Sequence, residues 1–127
     1  MSVEPRILAD TRILVLEDDY YLATDLQASL EAAGATVIGP FSDEAEAALA
    51  LTAQPTDYAL IDVNLGQGAS FEIAQILKEN VIPFAFVTGY DAGIIPDRYA
   101  AVPRFEKPVD IRKVISEAAR QMRGRPR

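Results

Sequence analysis

The sequence predicts an α/β fold, a doubly wound sheet of five parallel strands in the order 2-1-3-4-5, with a shortened or irregular fourth helix. Two observations lead there. Short, continuous apolar runs mark strands covered on both faces, as parallel strands are. Stretches of helical apolar spacing stand between them, so that strand and helix alternate without internal repeats or a linker. Right-handed crossovers then fix the winding.

Taken in order, residues 1–11 read as a loosely held N-terminal extension, where Pro5 argues against a helix. Ile13 to Leu16 is the first strand, ending in Glu17-Asp18-Asp19. Leu22, Leu26, Leu30 and Ala33 form a helical stripe that Gly34 stops. Thr36 to Gly39 is the second strand, which Pro40 is expected to close. Ser42 or Asp43 caps a second helix with Ala45, Ala48 and Leu49 inward and Glu44 and Glu46 outward; Pro55 ends it. Tyr58 to Asp62 is the third strand, and a loop with Gly66 and Gly68 leads to Ser70, the expected cap of a third helix. Phe71, Ile73, Ala74 and Leu77 are its apolar stripe. Pro83 to Thr88 is the fourth strand. Gly89, Gly93 and Pro96 break up residues 89–101, where helical pattern is weakest. Val102 to Glu106 is the fifth strand, with Pro103 at its start or on an edge. Asp110 caps a last helix that buries Ile111, Val114, Ile115, Ala118, Ala119 and Met122, and residues 124–127 form a basic tail.

Composition narrows the function. The chain of 127 residues holds no Cys and no His, which excludes thiolate and imidazole metal sites, disulfides and His-based acid–base catalysis. No apolar run is long enough to span a membrane and no signal peptide pattern opens the chain, so a cytoplasmic location is expected. The net charge of −7 hides an asymmetry: residues 1–97 hold 3 basic and 16 acidic residues, residues 98–127 hold 9 and 3. A basic solvated face on the last helix explains this more simply than a nucleic-acid patch, since no aromatic residues are interleaved with it.

The polar residues fall at one edge. Glu17, Asp18 and Asp19 follow strand one, Asp62 ends strand three, Thr88 ends strand four and Lys107 follows strand five. In the flavodoxin-like strand order, ligands bind beyond the carboxyl ends of the strands, where strands one and three are neighbours. Carboxylates converging there repel unless a hard cation such as Mg²⁺ or Mn²⁺ joins them. The chemistry that fits is phosphoryl transfer to Asp62 as nucleophile. Lys107 pairs one phosphoryl oxygen, the Thr88 hydroxyl donates to another, and Gly89 leaves room for the group.

With these residues in place, residues 12–123 resemble a receiver domain of a two-component response regulator. The resemblance implies Asp62 as phosphoacceptor, Glu17 and Asp18 as the metal-binding acid pair, and the Asn64 backbone carbonyl as a further metal ligand. Thr88 and Lys107 match the family's switch hydroxyl and phosphate-binding lysine, while Asp19 is left as a loop acid. The string Pro83-Phe84-Ala85-Phe86-Val87-Thr88-Gly89-Tyr90 resembles the PFxFATGY signature of the FAT GUY receivers, with Val87 in place of alanine. That subgroup implies a single-domain regulator working with a histidine kinase of the HWE or related type, often in stress networks.

Two departures stand out. Three residues before the lysine, where receivers carry an aromatic switch, this chain has Arg104; Phe105 follows and is expected to point into the core. Residues 89–101 lack a clear helix. Phosphorylation is therefore expected to order or shift residues 89–101, with Tyr90 and Arg104 as gate residues. With no effector domain expected, output is by contact with a downstream regulator protein or by relay through a phosphotransfer protein. The expected state is a monomer without nucleic-acid or membrane partners, a phosphoacceptor and not an enzyme with a dissociable substrate. One rival is an aspartate-nucleophile phosphatase of the haloacid dehalogenase type, which wants a second acid where Asn64 stands. The other is a pseudo-receiver, a binding module that never takes phosphate.

Overall fold

Strands covered on both faces need apolar residues at every position, and two segments meet that demand throughout. The computed structural model describes residues 6–63, 71–89 and 94–124. Its strands are β1 (Arg12–Leu16), β2 (Thr36–Phe41), β3 (Tyr58–Asp62), β4 (Phe84–Thr88) and β5 (Arg104–Glu106). All neighbours pair in parallel, in the order β2-β1-β3-β4-β5. Every residue of β3 and β4 is buried, as central strands of such a sheet must be.

Among the described residues four α-helices cover the two faces: α1 (Tyr20–Ala32), α2 (Glu44–Ala53), α3 (Glu72–Glu79) and α4 (Ile111–Arg123). On one face Leu26 and Leu30 of α1 and Val114 and Ala118 of α4 pack on Ile13, Val15, Tyr58 and Leu60. On the other, Ala47 and Ala50 of α2 and Ile73 and Leu77 of α3 pack on Leu14, Ile61, Phe84 and Phe86. The sheet order sets β5 at the edge opposite β2, and the basic helix α4 that follows it returns to one face beside α1. Among the described residues no helix is long and apolar enough to cross a membrane.

Local chemistry sets the helix ends. Asp19 Oδ1 accepts from the backbone N–H of Tyr21 at 3.0 Å and of Leu22 at 3.2 Å, making it the cap of α1. At the other end Gly34 has φ +106°. Gly34 and Ala35 donate back to the carbonyls of Glu31 and Leu30, a Schellman stop as its position predicts. Asp43 caps α2 by accepting from Ala45 N–H, and Asp110 caps α4 by accepting from Arg112 N–H. Ser70 lies outside the described residues. The first turn of α3 is served instead from a neighbour, since Glu44 Oε2 accepts from the Ile73 N–H at 3.4 Å.

Four expectations need correction. β2 runs through Pro40 to Phe41 instead of closing before it. It is an edge strand, where a residue without N–H loses no ladder bond on the open side. A register shift opposite Leu14 to Leu16 and Gly39 at φ +102° let the chain bend and rejoin. The inner face of α2 is Ala47 and Ala50, whereas Leu49 is 70% exposed and Ala45 is exposed. Beyond Glu44 and Glu46 the helix is almost all alanine and leucine, so its phase is set by packing. The lead-in is anchored at its end, where Leu8 is fully buried and donates to Ala33 O. β5 begins at Arg104, after Val102 and Pro103.

Candidate functional site

The carboxyl ends of the strands are stapled together by the backbone. Glu17 N–H donates to Phe41 O at 2.8 Å, Val63 N–H to Val87 O at 3.0 Å and Lys107 N–H to Thr88 O at 2.8 Å. These bonds carry the sheet ladder one residue past each strand. They bring Glu17, Asp62, Thr88 and Lys107 to one edge, as the sequence predicts, with a cis peptide bond between Lys107 and Pro108.

Glu17, Asp62 and Thr88 are almost wholly buried, an unusual state for two acids. Lys107 joins them: its Nζ lies 3.2 Å from Glu17 Oε2 and 3.3 Å from Asp62 Oδ2. Glu17 Oε2 also accepts from the Asp19 backbone N–H at 3.0 Å. One carboxylate oxygen each of Glu17, Asp18 and Asp62 lies within 4.8 Å of the other two. At that separation two unit charges repel by roughly 3 kcal/mol at an effective dielectric of about 20. A single ammonium offsets only part of this.

The ionisation of the cluster reflects that imbalance. Burial, together with the nearby Asp62 charge, pushes the Glu17 carboxyl up from 4.5 to about 7, against the opposing hydrogen bond from Asp19 and the attraction of Lys107. Burial and Asp62 raise the Asp18 carboxyl in the same way. For Lys107, burial works against the ammonium, but the Glu17 and Asp62 carboxylates outweigh it and hold the proton more tightly than usual. The group is short of positive charge.

Two buried acceptor or donor atoms in this cluster lack hydrogen-bond partners among the described residues: Glu17 Oε1 and Thr88 Oγ1. An orphaned carboxylate oxygen beside two further carboxylates is the oxygen donor set that suits a hard divalent cation such as Mg²⁺. Among the described residues a Cβ at Gly89 would meet nothing within 4 Å, which leaves space beside Thr88.

The remaining expected site residues divide. Arg104 is exposed on β5, while Phe105 is partly buried against the core under α1 and α4, on the side the strand alternation predicts. Asn64 and Tyr90 lie outside the described residues. The sequence reading missed Asp19 as a helix cap and Tyr99 altogether. Tyr99 sits in a short 3₁₀ turn, Asp97–Tyr99, and is fully buried. The sequence carries only a weak signal for it, an aromatic residue among Gly and Pro that mark irregular backbone.

No protein-family model matches the chain. A curated relative, the phyllosphere-induced regulator PhyR of Methylorubrum extorquens, is 30% identical over 115 residues, 85% of this chain. The chain spans 43% of that relative's length. Among solved structures, SdrG from Sphingomonas melonis Fr1 is 31% identical with a TM-score of 0.77, covering 88% of this chain and 96% of that one. The receiver protein of a response regulator from Sinorhizobium medicae WSM419 has the same fold, with a TM-score of 0.78 at 22% identity over 91% of this chain and 97% of that one.

Proposed function

The chain belongs to the receiver domains of response regulators, and from that premise we propose that it accepts a phosphoryl group on Asp62. The observation that carries this reading is the buried Asp62 carboxylate held beside Glu17, Asp18 and the Lys107 ammonium at the carboxyl edge of the sheet. An Asp62 oxygen attacks the phosphorus of a phosphohistidine donor, and the bond from phosphorus to the imidazole nitrogen breaks. Lys107 holds one phosphoryl oxygen and the unpartnered Thr88 hydroxyl donates to another. Glu17, Asp18, Asp62 and the Asn64 carbonyl would hold Mg²⁺ or Mn²⁺, which would supply charge neutralisation of the transferring group.

The donor is a histidine kinase or a phosphotransfer protein. Output passes by contact with a downstream regulator protein or by onward relay, without an enzyme's turnover of a dissociable substrate. The match to nearly the whole of SdrG supports a regulator of one domain. The string from Pro83 to Tyr90 supports the FAT GUY subgroup, with a kinase of the HWE type and a cytoplasmic stress-response network around it.

The test is phosphorylation of the purified protein by phosphoramidate with Mg²⁺, read by intact mass. The expected result is the addition of one phosphoryl group, lost in Asp62→Asn and on chelation of the metal. Failure of the wild-type protein to gain mass, with donor proven active on another receiver, would leave the pseudo-receiver reading in its place.

A further inference from the structure

Side chains of Phe84, Phe86 and Thr88 alternate onto one face of β4. Phe71 lies just before α3, at the return of the loop that leaves β3 after Asp62. Its ring meets Phe86 edge-on at 5.9 Å and stacks on Tyr99 at 6.0 Å. Tyr99 in turn meets Phe86 at 5.8 Å and Phe84 at 6.3 Å. The cluster thus touches both the strand that ends in Thr88 and the chain that returns from Asp62.

Tyr99 reaches this cluster from the least regular stretch of the described chain. Its hydroxyl donates to Gln75 Oε1 on α3 at 3.1 Å. The Arg98 guanidinium lies 4.8 Å from the ring centre and Lys78 Nζ 5.6 Å from it. Lys78 Nζ also donates to Arg98 O at 3.4 Å. A single buried ring, with Ile95 beside it, ties residues 94–101 to α3 and to the sheet. Where receivers are expected to carry their aromatic switch, this chain places the exposed Arg104.

We propose that Tyr99 couples the state of the Asp62 site to residues 94–101, an inference that rests on the phosphoacceptor reading. A ligand that recruits the buried Thr88 hydroxyl moves the end of the strand that carries Phe86. Close-packed rings do not deform smoothly, so the displacement is resolved by reseating Tyr99. Reseating loosens or re-forms the attachment of residues 94–101 to α3 and shifts Arg98 at the surface.

The test uses the full chain with Mg²⁺, with and without beryllofluoride, followed by amide shifts and hydrogen exchange. In the wild type, beryllofluoride shifts the amides of Asp62 and Val63 and changes exchange across residues 94–101. Tyr99→Leu keeps the shift at Asp62 at the same beryllofluoride concentration. Its residues 94–101 exchange at least about a hundredfold faster in both states, so the ligand no longer changes them. Gln75→Leu keeps the ring, removes only its hydroxyl's acceptor, and gives a reduced but present response, which serves if Tyr99→Leu does not fold. The inference is overturned if Tyr99→Leu retains the wild-type response in residues 94–101, or if those residues are silent in a wild type whose Asp62 responds. Silence at Asp62 itself would sink the phosphoacceptor reading first, and this coupling with it.

Discussion

Replacing Glu17 by Gln should stabilise the metal-free protein, and the gain should grow with pH. In the folded chain Glu17 holds its proton up to about 7, whereas an unfolded chain releases it near 4.5. Between those values the folded state binds more protons than the unfolded one, so its stability falls as pH rises. The contribution is fully present below 4.5 and is lost by the time pH passes about 7. A rise from 4.5 to about 7 corresponds to about 3 kcal/mol at about 1.4 kcal/mol per pH unit. Glutamine mimics the protonated acid and has nothing to lose. Urea titrations in chelator should therefore show the two proteins alike at pH 4.5. They should separate by a midpoint difference on the order of 2 M above pH 7, given an m-value of about 1.5 kcal/mol/M. Added Mg²⁺ should stabilise the wild type at high pH by binding the carboxylates that the proton has left. A stability difference that stays flat between pH 4.5 and 8, or a wild type more stable than the variant at pH 8, would refute the reasoning.

Other perturbations have equally definite signs. Lys107→Met removes the ammonium that faces the buried Glu17 and Asp62 carboxylates. It should cost about 2–3 kcal/mol in urea at pH 8 without metal, at the low end for a buried pair because the lysine side chain is 29% exposed. That cost should shrink at pH 5, where Glu17 takes up a proton. Val81 stands at φ +56° with 82% of its surface exposed, a strained place for a β-branched residue. Val81→Asn should gain about 1 kcal/mol and raise the thermal midpoint by about 4 °C, and an unchanged midpoint would deny the strain. Gly39→Ala would place a Cβ 2.7 Å from Phe41 N at φ +102°, so it should lose about 2 kcal/mol or more in the same assay.

What the sequence reveals depends on whether a local pattern has one solution. β3 and β4 do, because an unbroken apolar run followed by one polar residue can only be a covered strand with its polar end at an edge. Asp62 and Thr88 were legible for that reason, and Glu17 and Lys107 through the order of the strands. The burial of Glu17 and the bridge from Lys107 to two carboxylates were not legible, since they depend on how side chains of three strands fill one edge. α2 has alanine on several sides and only Glu44 and Glu46 to restrict its phase, so the choice of Ala47 and Ala50 is made by the sheet beneath. Pro40 looks like a terminator until β2 is known to be an edge. Asp19 looked like a surplus acid because a cap is recognised by where the helix begins, and helix starts are poorly marked in Glu-Asp-Asp-Tyr-Tyr. Tyr99 was hidden by the Gly and Pro around it, which signal irregular backbone and say nothing of a buried ring.

The placement of β5 at one edge of the sheet, with the basic helix α4 following it onto one face, has a consequence for how the molecule is seen from outside. Four gaps of about 4.8 Å separate the outermost strands, roughly 19 Å in all. At physiological ionic strength the Debye length is about 8 Å. A body approaching from the β5 side is therefore screened from the far strands and feels mainly the charge of residues 98–127, 9 basic and 3 acidic, on a protein whose net charge is −7. In dilute buffer the same body feels the whole anion. Changing the salt thus alters which charge the protein presents and not only how strongly it presents it, and the torque on an approaching dipole turns with it.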